Sequence, residues 1–327
     1  MICAIQYPSW IKPEIIPGFP LLRWYGFMYL VAFAIAFVLF KVQVKKGELQ
    51  RYTKSEKPIM NEDIIDFFTW SLFGLMLGAR IFATLVYEPT WLYWQKPWLI
   101  FWPFSEARQW TGLQGMSYHG GFIGCFLGAF LWTKRHKQDF FAWADTAAAG
   151  IPLGYTFGRL GNFFNGELYG RITTSPIGMI FPSVPLHDCF PVKEAWVQEF
   201  AAKAGVAIQE GAQYINLPRH PSQLYEALFE GVLLWIAVWL VRNKKPFNGF
   251  LFCFYTIGYG IVRFFIEYFR QPDYELGFRI AADEANIYLF SSFKNISTGQ
   301  IFCFMMIAGG LIGIGLLARY NRKRNHG

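Results

Sequence analysis

Residues 158–170 read Gly-Arg-Leu-Gly-Asn-Phe-Phe-Asn-Gly-Glu-Leu-Tyr-Gly. The stretch sets a cation (Arg159), two amides (Asn162 and Asn165) and a carboxylate (Glu167) where an apolar segment is ending. Polarity of this density beside lipid is costly and points to a use. The glycines let backbone come close to a bound group, and Arg159 offers a planar fork suited to a phosphate or carboxylate.

Four further constellations lie beside apolar segments. Tyr118-His119-Gly120-Gly121 opens one of them. A lone histidine there reads first as a hydrogen-bonded interface residue, while the paired glycines permit close approach of a ligand or a neighbouring helix. Arg219-His220-Pro221-Ser222-Gln223-Leu224-Tyr225-Glu226 enters another. Pro221 reads as a first-turn proline and His220 as a capping residue, which leaves Gln223 and Glu226 as costly polar groups near lipid. Tyr259, Arg263 and Glu267 recur at spacings of four and so share one helical face. An internal Arg263–Glu267 salt bridge is one reading. A central charge costs at least roughly 2.5–3.5 kcal/mol to insert, so a polar cavity is the better one. Arg23-Trp24-Tyr25-Gly26 opens the first segment, where Arg23 can snorkel. Arg80 lies deeper in the second and needs a partner or a cavity. Arg159 and Arg263, from different helices near one leaflet, suggest an anion held bidentately. The commonest anion at that depth is a phospholipid phosphate.

The elements that position these residues are membrane helices. The 327 residues are 54% hydrophobic and only 16% charged, well below the roughly 25% charge of a soluble domain. Mean hydropathy is positive. The net charge of +8 sits in short runs between apolar stretches, a placement that speaks for membrane orientation and against a nucleic-acid surface. The five cysteines show no paired spacing, and no histidine or cysteine pair has ligand spacing, so no disulfide framework, metal or cofactor is expected. The N-terminus lacks the basic n-region of a cleaved signal peptide.

Seven segments qualify as spanning helices, which need roughly 20 mostly apolar residues: 21–40, 64–87, 119–133, 140–157, 224–241, 250–266 and 299–318. The third and fourth are short or rich in Gly and Ala. Basic flanks follow the first (Lys41 to Lys57), third (Lys134, Arg135, Lys137), fifth (Arg242, Lys244, Lys245) and seventh (Arg319 to Arg324). All four fall on one side of a seven-span chain, which places them in the cytoplasm and the N-terminus outside. The fold class expected is an all-α integral membrane protein with seven transmembrane helices, a cytoplasmic C-terminus and a small extracytoplasmic subdomain over 158–223. Trp91, Trp94, Trp98, Trp102 and Trp110 crowd the first outer stretch and read as headgroup-level anchors.

Residues 158–170 resemble the signature of the prolipoprotein diacylglyceryl transferases at every position. Arg23 to Gly26, His119-Gly120-Gly121, His220 to Glu226 and the run from Tyr259 to Arg270-Gln271-Pro272-Asp273 resemble the same family, in its order, from about residue 20 to 320. The resemblance implies the family's seven-span topology and its reaction: transfer of the diacylglyceryl group of phosphatidylglycerol to the lipobox cysteine thiol of a prelipoprotein, with release of glycerol 1-phosphate. It implies a multi-pass protein of the bacterial inner membrane acting towards the outer leaflet. Its partners would be phosphatidylglycerol and prelipoprotein signal peptides. The thiol needs a base or a positive field, since a free thiol titrates near 8.5. His119 is the candidate base, and Arg159 and Arg263 the stabilisers of charge on the leaving phosphate. Glu167 and Glu267 would orient the arginines. Tyr25, Asn162 and Tyr259 would bond the headgroup, and Gly170 would allow close backbone approach. The stretch 274–298 and the first cytoplasmic loop are longer than the family leads one to expect. A transporter is the main alternative, but no internal repeat is visible and the polar groups gather towards one leaflet. A non-catalytic phospholipid-binding protein would leave His119 and the carboxylates without a use.

Overall fold

A computed structural model of the chain describes residues 4–326 except 17, 19–21, 54–57, 89, 105–114, 183, 273–276 and 283–285. Trp110, Asp273, Lys54, Lys57 and parts of the long 274–298 stretch therefore lie outside the described residues. The described chain is mostly helical. Its main helices are α1 (Trp24–Lys45), α2 (Asn61–Phe82), α3 (Tyr118–Arg135), α4 (Phe140–Ala148), α5 (Ile151–Asn165) and α6 (Ala195–Lys203). There follow α7 (Ser222–Glu226), α8 (Leu234–Val241), α9 (Phe250–Ile266) and α10 (Thr298–His326). Single π-helical turns extend α2 (Ala83–Tyr87) and join α7 to α8 (Ala227–Leu233).

Among the described residues, four helical segments are long and apolar enough to cross a membrane: Trp24–Lys45, Asn61–Tyr87, Ser222–Lys244 and Thr298–Lys323. The chain is a membrane protein of the all-α class. The other three segments read from the sequence are helical as well, each with a reason for falling short. The 18-residue α3 spends four positions on glycine and carries Lys134 and Arg135 in its last turn. α9 is apolar but has 17 residues. The fourth segment is broken at Ala149 and Gly150, where Pro152 starts a new helix. α5 then runs eight residues past the predicted end, to Asn165.

The chain forms two compact units, residues 1–40 with 145–327, and residues 41–144. In the second unit α2 and α3 pack along glycines spaced four apart, Gly74 and Gly78 against Gly120, Gly124 and Gly128. A Cβ at Gly74 or Gly78 would overlap the carbonyl of Gly124 or Gly120, so the backbones touch as in small-xxx-small pairs. Buried Arg80 donates to the Ile100 carbonyl at 2.5 Å and to that of Gly115 at 3.3 Å, and its guanidinium lies 5.8 Å from the Tyr93 ring centroid. Trp91, Trp94, Trp98 and Trp102 are all exposed, on the short helical turns that follow α2.

In the first unit, buried Asp145 binds Lys245 Nζ at 3.1 Å and accepts the Gly249 and Phe252 backbone N–H groups at 2.9 and 2.8 Å. It thereby caps the start of α9. Between α5 and α7 the chain builds, with α6, a small core of Ile172, Phe190, Val197, Ala201 and Leu217. Two-stranded ladders edge it. β3 (Phe190–Pro191) pairs antiparallel with β4 (Tyr214–Ile215), and β1 (Ile5–Gln6) pairs parallel with β2 (Met179–Ile180). A third ladder joins β5 (Phe278–Ile280) to β6 (Ile296–Ser297). Fully buried Arg219 ties this region together. It donates to the Asp188 carbonyl at 2.6 Å and to Gln271, and its guanidinium lies 4.7 Å from the Tyr169 ring centroid.

Candidate active site

The cluster 158–170 starts on the last turns of α5 and ends in an irregular turn. Gly166 takes a left-handed φ of 68°, and Leu168 a φ of 57° that a branched side chain seldom adopts. The entry to α7 holds that turn in place. Gln223 Nε2 donates to the Glu167 carbonyl at 2.6 Å, and Ser222 Oγ donates to that of Leu168 at 3.1 Å. His220 pairs through its backbone with Gly170 and Arg171 and does not serve as a cap. Burial and the neighbouring Arg171 hold its imidazole down to about 4.

Above the turn, three helices of the first unit aim charged side chains at one point. α5 supplies Tyr155 and Arg159 one turn apart. The α7 segment and its π-turn supply Glu226 and Glu230, again four apart, and α9 supplies Arg263 with Glu267 and Arg270 beyond its end. Glu226 is the hub. Its Oε2 lies 2.9 Å from Arg159 Nε and 2.8 Å from Arg263 Nη1, and its Oε1 accepts from Arg270 Nη1 at 2.9 Å. Arg263 also meets Glu230 at 3.5 Å and Glu267 at 3.4 Å. The Tyr155 hydroxyl accepts from Arg159 Nε at 2.6 Å and donates to Glu230.

Glu226 and Glu230 are fully buried, whereas the side chains of Arg159 and Arg263 keep 18% and 15% of their surface. The guanidinium groups, and not the carboxylates, thus face whatever enters. Arg159 Nη2 has no hydrogen-bond partner among the described residues. The site as built is charge-balanced, three guanidinium groups against three carboxylates. Glu226 holds both arginines in one register, and an anion entering the site would compete with it for the same donors.

The expected site residues distribute as follows. Arg159 Nη1 donates to Asn162 Oδ1 at 3.4 Å, and Asn162 Nδ2 donates to Glu167 Oε1 at 3.0 Å. Glu167 therefore reaches Arg159 through Asn162, and the carboxylate that directly orients Arg159 is Glu226. The ring of Tyr259 stands edge-on to that of Tyr155, 5.8 Å between centroids. Tyr25 bonds Tyr29 through its hydroxyl at 3.0 Å, and its Cα lies beside Gly161 of α5. At Gly170 the close approach is to protein: a Cβ would overlap the Phe269 carbonyl and crowd His220. His119 belongs to the other unit, at the exposed start of α3, with Nδ1 2.7 Å from the Tyr87 hydroxyl.

Sequence reading missed Glu230 and Tyr155 and took Glu226 only as a costly group. The available signal was two acids four apart in an otherwise apolar span, with no basic residue on that helix to pair them.

A family model described as prolipoprotein diacylglyceryl transferase matches residues 14–316. The chain belongs to the prolipoprotein diacylglyceryl transferase family. It is 59% identical to the phosphatidylglycerol–prolipoprotein diacylglyceryl transferase of Treponema pallidum (strain Nichols), over 98% of this chain and 97% of that protein. It is 61% identical to the protein of the same name from Treponema denticola, over 99% and 97%. The Chlorobaculum tepidum protein of that name is 42% identical, over 93% and 89%. The family match takes in every residue of the arginine–glutamate network and both units.

Proposed function

We infer that this chain is a transferase that moves the diacylglyceryl group of phosphatidylglycerol onto the lipobox cysteine thiol of a prelipoprotein, the first step of lipoprotein maturation. The substrate thiolate attacks the glycerol carbon that carries the phosphate ester. A C–S bond forms, the C–O bond breaks, and glycerol 1-phosphate leaves with the electron pair on its phosphate oxygen. The thiol proton passes to a base and then to solvent or the departing phosphate. The observation that carries the reading is the convergence of Arg159 and Arg263 on one buried carboxylate oxygen, at 2.9 and 2.8 Å, in a chain matched over nearly its full length by this family.

In this reading Arg159 and Arg263 stabilise the leaving phosphate in a low-dielectric site, where loss of one such donor costs about 10²–10³ in kcat. Asn162 and Glu167 hold Arg159 from below, Glu267 holds Arg263, and Tyr25 and Tyr259 bond the headgroup. Gly170 keeps the turn close to the Phe269 carbonyl. His119 is the base, assigned from the family's His-Gly-Gly motif; Tyr87 fixes one of its ring nitrogens. All seven helical segments cross the bacterial inner membrane, with the N-terminus outside and the C-terminus in the cytoplasm. The basic flanks support that orientation. Residues 158–223 then form an extracytoplasmic head, and the site faces the outer leaflet.

The test is incubation of the purified chain with phosphatidylglycerol and a lipobox peptide, read by mass spectrometry. A diacylglyceryl thioether on the peptide with stoichiometric glycerol 1-phosphate is expected. Lipid binding without a thioether would reduce the protein to a phospholipid-binding scaffold.

A further inference from the structure

Arg270 faces two ways. Its side chain binds Glu226, and its backbone carbonyl accepts a hydrogen bond from Arg171 Nε at 2.8 Å. Arg171 belongs to a second feature, a cavity of about 500 Å³ walled by Phe200, Phe265, Phe269, Phe290 and Phe293. Thr173, Thr174 and His220 also line it. The charged network described above contributes none of the lining side chains.

The cavity holds a buried cation whose nearest charged influence among the described residues is Glu267, beyond ion-pair distance. Arg171 is 1% exposed, and no carboxylate among the described residues lies within ion-pair distance of it. Two backbone carbonyls take Nε and one Nη1 proton, the second being that of Leu289 at 3.3 Å. A guanidinium carries five N–H donors, so three are left over. His220, the other titratable base on the wall, is neutral at physiological pH because burial holds it at about 4. With donors unused and Glu267 beyond ion-pair distance, this buried cation is costly to hold, and an entering anion relieves that cost.

The rim sets the rest of the ligand. Phe265, Phe269, Phe290 and Phe293 are 61%, 44%, 48% and 70% exposed. They gather where α9 ends, the level at which aromatic side chains meet lipid headgroups. An exposed aromatic rim over a buried guanidinium fits a molecule that is apolar along its length and anionic at one end. The volume lies in the lower half of the roughly 300–1,000 Å³ of ligand pockets, which suits one chain and not the two of a diacylglyceryl donor.

We propose that this cavity is a second lipid site, which binds a single-chain anionic amphiphile with its acid group on Arg171 and its chain against the phenylalanine wall. The acid is a carboxylate, as in a fatty acid, or a phosphate, as in a one-chain phospholipid. The site lies apart from the transfer reaction and does not depend on it.

The experiment uses the full chain in lipid nanodiscs and three photoreactive probes of one chain length, ending in carboxylate, phosphate or alcohol. Digestion and mass spectrometry map the label. Both acids, or one of them, should label the segment carrying Phe290 and Phe293 about tenfold more than the alcohol, the excess of a charge-assisted contact over a neutral one. The stronger acid identifies the source. Arg171→Gln should bring acid labelling down to the alcohol level. Thr174→Glu, at an exposed lining position, should do the same by placing a fixed anion in the cavity. Equal labelling by acid and alcohol, label confined to other segments, or protection of the segment by a lipobox peptide but not by unlabelled acid would each overturn the proposal.

Discussion

Replacing Glu226 by Gln keeps the volume of the side chain and removes the charge on which three arginines converge. The wild-type carboxylate receives Arg159, Arg263 and Arg270 at 2.9, 2.8 and 2.9 Å with no exposure of its own. Gln keeps one oxygen for those three cations and turns an N–H₂ group towards at least one of them. A charged hydrogen bond is worth about 1.5–3 kcal/mol, but three sharing one acceptor do not add. Deleting one partner of a buried ion pair costs about 3–5 kcal/mol, and that range is the expected loss of stability. The site also changes from balanced to one net positive charge. Phosphatidylglycerol should therefore bind no more weakly, while the arginines lose their common register and kcat falls by about 10²–10³. The assay pairs thermal unfolding in detergent with transfer kinetics at varied phosphatidylglycerol. Glu226→Asp serves as the control that keeps the charge and shortens the reach. A Gln variant that melts and turns over like the wild type would refute the role of Glu226 as shared anchor. So would a variant whose only defect is a raised KM.

Tyr155→Phe removes the hydroxyl between Arg159 and Glu230 and takes from each one of its partners, worth about 1–3 kcal/mol, so kcat should fall about tenfold with KM for lipid little changed. Asp145→Ala breaks the buried pair with Lys245 and uncaps α9. It should cost about 3–5 kcal/mol in unfolding experiments yet leave turnover per folded molecule intact. Gly78→Leu forces a side chain into the Gly120 carbonyl and should lower the melting temperature by an overpacking cost of about 1–3 kcal/mol or more. His220, held at about 4 against an ordinary 6.5 by burial and Arg171, takes up its proton earlier in the unfolded chain. Stability should thus be fully present above pH 6.5 and decline as pH falls from 6.5 to 4, and His220→Asn should flatten that part of the melting profile.

The parts of this molecule legible in its sequence are those written within a single segment. Each of the seven apolar segments is helical, because composition over 15 to 20 residues leaves little else for such a chain. Arg159, Asn162 and Glu167 were readable together since they lie within one cluster. The pairing of Arg159 with Glu226 was not, because it links helices whose motifs are more than sixty residues apart and nothing local encodes their rotation. The break at Ala149–Gly150 was visible only as a weak Gly and Ala signal, although Pro152 marks the restart. The two-residue strands around residues 172–217 carry no periodicity at all; their pairing follows from the small core beneath them. The Arg263–Glu267 bridge, one of the two readings of their spacing, exists at 3.4 Å, but the shorter contact is to Glu226 at 2.8 Å, across to another helix.

In the proposed reaction two arginines held by one carboxylate stabilise the phosphate that leaves. Single-turnover transfer from phosphatidylglycerol to a lipobox peptide by Arg159→Lys and Arg263→Lys tests it most directly, since lysine keeps the charge and loses the planar fork. Each variant should fold, bind lipid, and be slowed by about 10²–10³ in the chemical step. Near wild-type rates in either variant would contradict that role.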